Sequence, residues 1–224
     1  MSDALKRQAA EIAVAEVRDG MVLGLGTGST AAIAVDLLGA RVQGGLRVVG
    51  VPTSERTAAQ ARALGIPLGT LAEHPLLDLT IDGADEVHTG TLDLIKGLGG
   101  ALLREKIVAA ASRRMVVIVD EGKLVPQLGG VKLPVEVAAF GWEATARHLR
   151  DLGVEPALRM AAGAPYMTDG GNHILDCTLD LADPAAAQTR LKAAVGVVET
   201  GLFIGLASRV VAGTPSGPRI LERP

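Results

Sequence analysis

Met21-Val22-Leu23-Gly24-Leu25-Gly26-Thr27-Gly28-Ser29-Thr30 runs from a short apolar strand, through three spaced glycines, into hydroxyl residues able to cap a helix. A strand, a glycine loop and a helix start open a β-α-β unit, and such a turn aims backbone N–H groups and a helix dipole at an anion. No lysine follows the last glycine, so this is not a nucleotide P-loop. Ser29 stands at the third glycine position of a dinucleotide fingerprint, and no acidic residue closes the next strand. A hydroxyl-rich loop without lysine suits one phosphate monoester. A tight, capped turn with no ligand fits the same residues equally well.

Outward from this loop the pattern alternates. Leu5, Ala9, Ile12, Ala13 and Val17 predict a helix over 3–19, ended by Gly20. Further helices are expected from Ser29 or Thr30 to Leu38, over 54–64 and over 99–112. Strands are expected at 46–51, 66–68, 76–81, 91–95 and 115–120. That alternation predicts an α/β class, with a Rossmann-like, mostly parallel sheet covered by helices on both faces. Beyond residue 130 the order becomes strand 131–139, helix 142–152, strands 156–160 and 173–179, helix 184–194, and strand from 197. A β-α-β-β-α-β order is ferredoxin-like. The expected organisation is therefore a catalytic α/β domain of residues 1–129 and 203–224, with an inserted small α+β domain of residues 130–202.

Composition narrows the class of function. Hydrophobic residues make up 48% of the 224 and aromatics only 2%, so Ala, Val, Leu and Ile must build the interior. Cys177 is the single cysteine, which rules out an intrachain disulfide and any multi-cysteine metal motif, and fits a reducing cytoplasm. Net charge is −3 and the basic residues are scattered, which argues against a nucleic-acid groove. No apolar run approaches the roughly 18–20 residues of a membrane span, and the first helix lacks the apolar core of a signal peptide.

The chemistry concentrates in Asp82-Gly83-Ala84-Asp85-Glu86, then Lys96-Gly97-Leu98-Gly99-Gly100, then Arg104-Glu105-Lys106. The acidic run sits where a strand breaks into a loop. As a metal site it lacks the repeated oxygen ligands of a calcium loop, and His74, His88, His148 and His173 are too dispersed for zinc. As an Asp-Gly turn it is ordinary. As acid–base machinery it has neighbouring carboxylates, whose pKa values are pushed apart. Glu105 alone reads as a solvated helix residue. The flexible approach from Lys96 to Gly100 gives it a second reading, facing the same space as Lys96. Lys123, just past a strand end, belongs to the same rim if the sheet is parallel.

These stretches, with Leu133-Pro134-Val135-Glu136-Val137, Thr168-Asp169-Gly170-Gly171-Asn172 and Gly196-Val197-Val198-Glu199-Thr200-Gly201-Leu202-Phe203, resemble type A ribose-5-phosphate isomerases over essentially the whole chain. The resemblance implies interconversion of ribose 5-phosphate and ribulose 5-phosphate through an enediolate, as in the pentose phosphate pathway, with no metal or organic cofactor. It implies Glu105 as general base and Lys96 beside the developing oxyanion. Asp82 and Asp85 would hold sugar hydroxyls and move the O1/O2 proton. Thr27, Gly28, Ser29 and Thr30 would hold substrate at its phosphate, with Lys6 as an extra cation. Gly83, Ala84, Gly97, Leu98, Gly99 and Lys123 would complete the binding rim. A homodimer or homotetramer is expected, with no nucleic-acid or membrane partner. Leu98 stands where some members carry glycine, Gly170 where Asn is expected, and Ala194-Val195 where Ile-Pro is expected. Three other readings compete. A hexosamine-phosphate deaminase would want a histidine by the carboxylates, where only His88 is near. An acyl-CoA transferase needs a glutamate context that is missing. A sugar-phosphate sensor would want a helix-turn-helix ahead of the first strand.

Overall fold

The computed structural model describes residues 3–223. Helix α1 (Asp3–Ala15), strand β1 (Val22–Leu25), helix α2 (Ser29–Gln43), strand β2 (Val49–Pro52) and helix α3 (Glu55–Ala63) come first. Strands β3 (Leu79–Asp82), β4 (Glu86–His88) and β5 (Leu94–Ile95) follow, then α4 (Leu102–Ala110), β6 (Met115–Asp120) and β7 (Leu124–Val125). Next are β8 (Leu133–Val137), α5 (Trp142–Asp151), β9 (Glu155–Leu158), β10 (Met160–Ala161), β11 (Ala164–Pro165), β12 (His173–Thr178) and α6 (Pro184–Lys192). Strands β13 (Val197–Thr200), β14 (Leu202–Phe203), β15 (Arg209–Gly213) and β16 (Arg219–Glu222) are last.

The main sheet runs β16-β15-β6-β3-β1-β2 and is parallel except for the β15–β16 hairpin. β6 lies inside it, so both of its faces are buried and its sequence is apolar at successive positions instead of alternating. Val116 and Ile118 pack with α1 and α2, while Met115, Val117 and Val119 pack with Ala109 of α4, Phe203 and Val210. Ala9, Ala10 and Ala13 of α1 are fully buried. Their small side chains let the helix lie close on the sheet, which is how a core nearly free of aromatics closes. After β1 the chain moves outward to β2, then returns across β1 to β3. The carboxyl ends of β1 and β3 thus flank a topological switch point, where open α/β sheets form their ligand crevice.

A second sheet, β13-β8-β12-β9, is antiparallel throughout. Leu133, Val135, Val137, Leu175 and Cys177 share its inner face and pack with α5 and α6. By the two-residue period of strands, Glu136 and Asp176 lie on the other face. The strand order matches the ferredoxin-like expectation, with the β10–β11 hairpin added between β9 and β12.

A further small sheet, β14-β5-β4-β7, joins the two. It departs from expectation in an instructive way. The strand expected at 91–95 shrinks to Leu94–Ile95 because Leu92 adopts a left-handed φ of 58° in the turn after β4. The strand expected at 66–68 is only an isolated bridge from Leu68 to Gly50. The helix expected over 99–112 begins at Leu102, since Gly100 has a φ of 84° that no right-handed helix accepts. Among the described residues, no helix is long and apolar enough to cross a membrane.

Candidate active site

The cleft opens beyond the carboxyl ends of β1, β3 and β6, and α4 closes one side. The first turn of α4 carries Glu105, whose amide donates to the Ala101 carbonyl at 3.0 Å. Glu105 is only 4% exposed. Lys96 follows β5, is 2% exposed, and holds its ammonium 3.0 Å from Asp82 Oδ2 and 3.2 Å from Glu105 Oε1. That ammonium also donates to the Gly83 carbonyl at 2.6 Å. Main-chain pairing seats it: the Lys96 amide donates to Gly201 O at 2.8 Å, and the Gly201 amide to Pro134 O at 2.7 Å. Phe203 lies under two cations, 5.4 Å from the Lys96 nitrogen and 5.0 Å from that of Lys106.

Burial and the Asp82 carboxylate raise Glu105 from 4.5 to about 8, against the pull of Lys96. Burial alone would discharge Lys96, but Asp82 and Glu105 outweigh it and hold the ammonium above its ordinary value. Asp82 is raised by burial, partly offset by Lys96. One glutamate whose affinity for a proton is tuned near neutrality thus faces one permanent cation.

Asp82 backs the cleft without lining it. It is fully buried, and its Oδ1 accepts the Thr27 and Gly83 amides at 3.1 and 2.7 Å. Its Oδ2 has the Lys96 charge nearby but no aligned hydrogen bond. Gly26 is required at this crossing, because a Cβ there would lie 2.2 Å from Asp82 Oδ1. Asp85 is half-buried on the wall and accepts the Leu98 amide at 2.9 Å through Oδ2.

The anion end differs from expectation at one residue. The Thr27 hydroxyl turns inward, bonded to Thr53 Oγ1 and Ser54 Oγ at 2.8 Å each and to Thr57 Oγ1 at 3.0 Å. With its amide on Asp82 as well, Thr27 shapes the loop and offers no spare donor. Ser29 and Thr30 remain as hydroxyl donors, at an α2 N-terminus that has no side-chain cap. Lys6 reaches this end from α1 and donates to Ser29 Oγ at 3.1 Å. Lys123 also lines the cleft.

The cleft, about 130 Å³, brings together Lys6, Thr27, Gly28, Ser29, Thr30, Gly83, Ala84, Asp85, Lys96, Gly97, Gly99, Glu105 and Lys123. That volume is well below the roughly 300 Å³ at which pockets for drug-sized ligands begin, so it matches a small metabolite. Leu98 is absent from the wall; its side chain is exposed and its amide serves Asp85. Ala31, Val119 and Asp120 also line the cleft and were not anticipated. The rule that crevices form at strand ends, applied to Asp120 as the last residue of β6, would have found it. Among the described residues, no cluster of three or more His, Cys, Asp or Glu side chains is arranged to hold a metal ion.

An open α/β crevice with hydroxyls and a lysine at one end, and a buried glutamate facing a fixed ammonium, has the make-up of a proton-transfer enzyme, the class to which aldose–ketose isomerases belong. The family model described as Ribose 5-phosphate isomerase A (phosphoriboisomerase A) matches residues 49–217. Ribose-5-phosphate isomerase A of Gloeobacter violaceus is 61% identical over 98% of this chain and 96% of its own length. The Rhodopseudomonas palustris relative of the same name is 57% identical over 100% and 99%. The structure of ribose 5-phosphate isomerase A from Methanocaldococcus jannaschii superposes with a TM-score of 0.96 at 40% identity, covering both chains fully. Another D-ribose-5-phosphate isomerase, solved in complex with phospho-erythronic acid, gives 0.95 at 38% identity, again with full coverage of both. The chain belongs to the ribose-5-phosphate isomerase A family and catalyses the aldose–ketose interconversion of ribose 5-phosphate and ribulose 5-phosphate.

Proposed function

We propose that Glu105 is the general base of this interconversion, carrying a proton between C2 and C1 of the open-chain sugar phosphate. The observation that carries the reading is the buried Glu105–Lys96–Asp82 group at the floor of a cleft whose far end is an anion loop. A proton next to a carbonyl is lost only if the charge developing on oxygen is met. Lys96, kept charged chiefly by Asp82, meets it without reorganising. Asp82 acts by fixing Lys96 and the Thr27 amide, and Asp85 holds the sugar hydroxyls and moves the O1/O2 proton. Ser29, Thr30, the Gly28 backbone and Lys6 hold the phosphate, and Lys123 completes the substrate rim. Phospho-erythronic acid, bound by a relative, joins a phosphate to a carboxylate. Its charge resembles that of an enediolate phosphate, which supports this division of the cleft.

No metal takes part in this reading. With excess EDTA, wild-type protein keeps full turnover of ribose 5-phosphate, while Glu105→Gln loses about 10²–10⁴-fold in kcat. Near-normal turnover by Glu105→Gln would remove Glu105 from the role of base.

The same reading divides the chain into a catalytic part, 1–129 with 203–224, and a small part, 130–202. Leu202 packs in the core under β8 and Phe203 in the core under β6, so neighbouring residues of one strand serve different cores, which supports that boundary. The working form is a homodimer. Phe140 and Val195, 98% and 79% exposed, flank the start of α5 and give a second copy an apolar surface to cover. The cytoplasm is its compartment. Cys177 is buried and burial pushes its thiol up to about 12, so it stays protonated and inert there.

A further inference from the structure

The Gly97 carbonyl and the Leu98 amide belong to one peptide unit, held from both sides. On the cleft side, the Leu98 N–H donates to Asp85 Oδ2 at 2.9 Å. On the other side, Arg159 Nη1 donates to Gly97 O at 2.9 Å and to Leu98 O at 3.1 Å. Arg159 is itself fixed by Asp176 of β12, through Nε to Oδ2 at 2.9 Å and through Nη2 to Oδ1. The two side chains are only 13% and 20% exposed. The guanidinium also lies 5.9 Å from the centre of the Tyr166 ring, whose hydroxyl abuts Gly100; a Cβ there would lie 2.1 Å from that oxygen. Arg159 and Asp176 are far from Gly97 in sequence and do not line the cleft.

We propose that Arg159, locked by Asp176, is a positioning residue for the isomerisation: it grips the 97–98 peptide from the end of β9 and aims its N–H at Asp85. The inference rests on the isomerase reading and extends it to groups that touch no substrate. A cationic donor on the peptide carbonyl polarises the unit and makes its N–H a stronger donor. A planar guanidinium can serve a carboxylate and two carbonyls at once, which a lysine ammonium on its flexible stem cannot do with the same fixed geometry. A plain staple between the two sheets would contain the same ion pair, but its loss would not act through Asp85.

The test combines Arg159→Met, Asp85→Ala, their double variant and Asp176→Asn. Steady-state kinetics on ribose 5-phosphate are measured alongside amide hydrogen exchange at Leu98 by NMR. Arg159→Met is expected to lower kcat about 10–100-fold with KM within about threefold, yet to cost less than about threefold when Asp85 is already Ala. Leu98 exchange rises in Arg159→Met and, more weakly, in Asp176→Asn. Asp176→Asn carries the comparison should Arg159→Met fail to fold. Effects that multiply fully in the double variant, or unchanged Leu98 exchange, overturn the proposal. An inactive wild type would count against the isomerase reading, while the exchange comparison would still decide whether the grip exists.

Discussion

Glu105 keeps its proton up to about pH 8 because burial and the Asp82 charge both resist a second anion, and Lys96 only partly relieves them. A base works in its ionised form, so kcat/KM is expected to fall roughly tenfold per pH unit below about 8 and to level off above it. A pH–rate profile with its acid limb near 4.5 would show that another group sets the rate. The same shift has a thermodynamic sign. Between 4.5 and about 8 the folded Glu105 binds a proton that the unfolded one has released, so its contribution to stability is full below that window. It drains away as pH rises through it. Glu105→Gln carries no such charge and should melt at or above the wild-type temperature at pH 8–9, despite its lost activity. Thermal unfolding at pH 6 and pH 9 checks this; a variant markedly less stable at pH 9 would contradict it.

At the level of elements, the turn after β1 is built around the end of β3. Gly26→Ala would drive a methyl into Asp82 Oδ1 and its Cα, moving the carboxylate that holds Lys96. The expected cost is about 1–3 kcal/mol of stability, together with a loss of kcat larger than the change in KM. Denaturant melts and steady-state kinetics on one preparation would separate the two, and unchanged kcat would break the link from turn to lysine. What could be read from the sequence follows the range of the interactions. The strand–loop–helix alternation and the β-α-β-β-α-β run are local patterns, visible as periodicity and punctuation. The sheet of β4, β5, β7 and β14 is made of strands of two or three residues, too short for a period, and Leu92 interrupts one of them against its own propensity. The inward turn of the Thr27 hydroxyl depends on Thr53, Ser54 and Thr57, which reach it only once α3 is docked. Arg159, which meets Gly97 and Leu98 from 61–62 residues away, joined the picture by folding alone.

For the molecule as a whole, the apolar side chains at Phe140 and Val195 predict an assembly. Light scattering should give twice the 22.9 kDa chain mass, and Phe140→Asp should shift the population toward monomer. A wild-type monomer at micromolar concentration would remove the dimer from the proposal. The pairing of Lys96 with Gly201 has a consequence of another kind. A Cβ at Gly201 would sit 2.2 Å from the Lys96 carbonyl, so the later strand must arrive with no side chain and lie almost on the earlier one. On the ribosome, Lys96 emerges well before Gly201, with strands β6 to β13 still to be made between them. The nascent protein can form its β-α-β layers early, but the Lys96 main chain is paired only after Gly201 appears. A truncated product ending before Gly201 would carry Asp82, Asp85, Lys96 and Glu105 but lack the main-chain contact that pairs the Lys96 backbone.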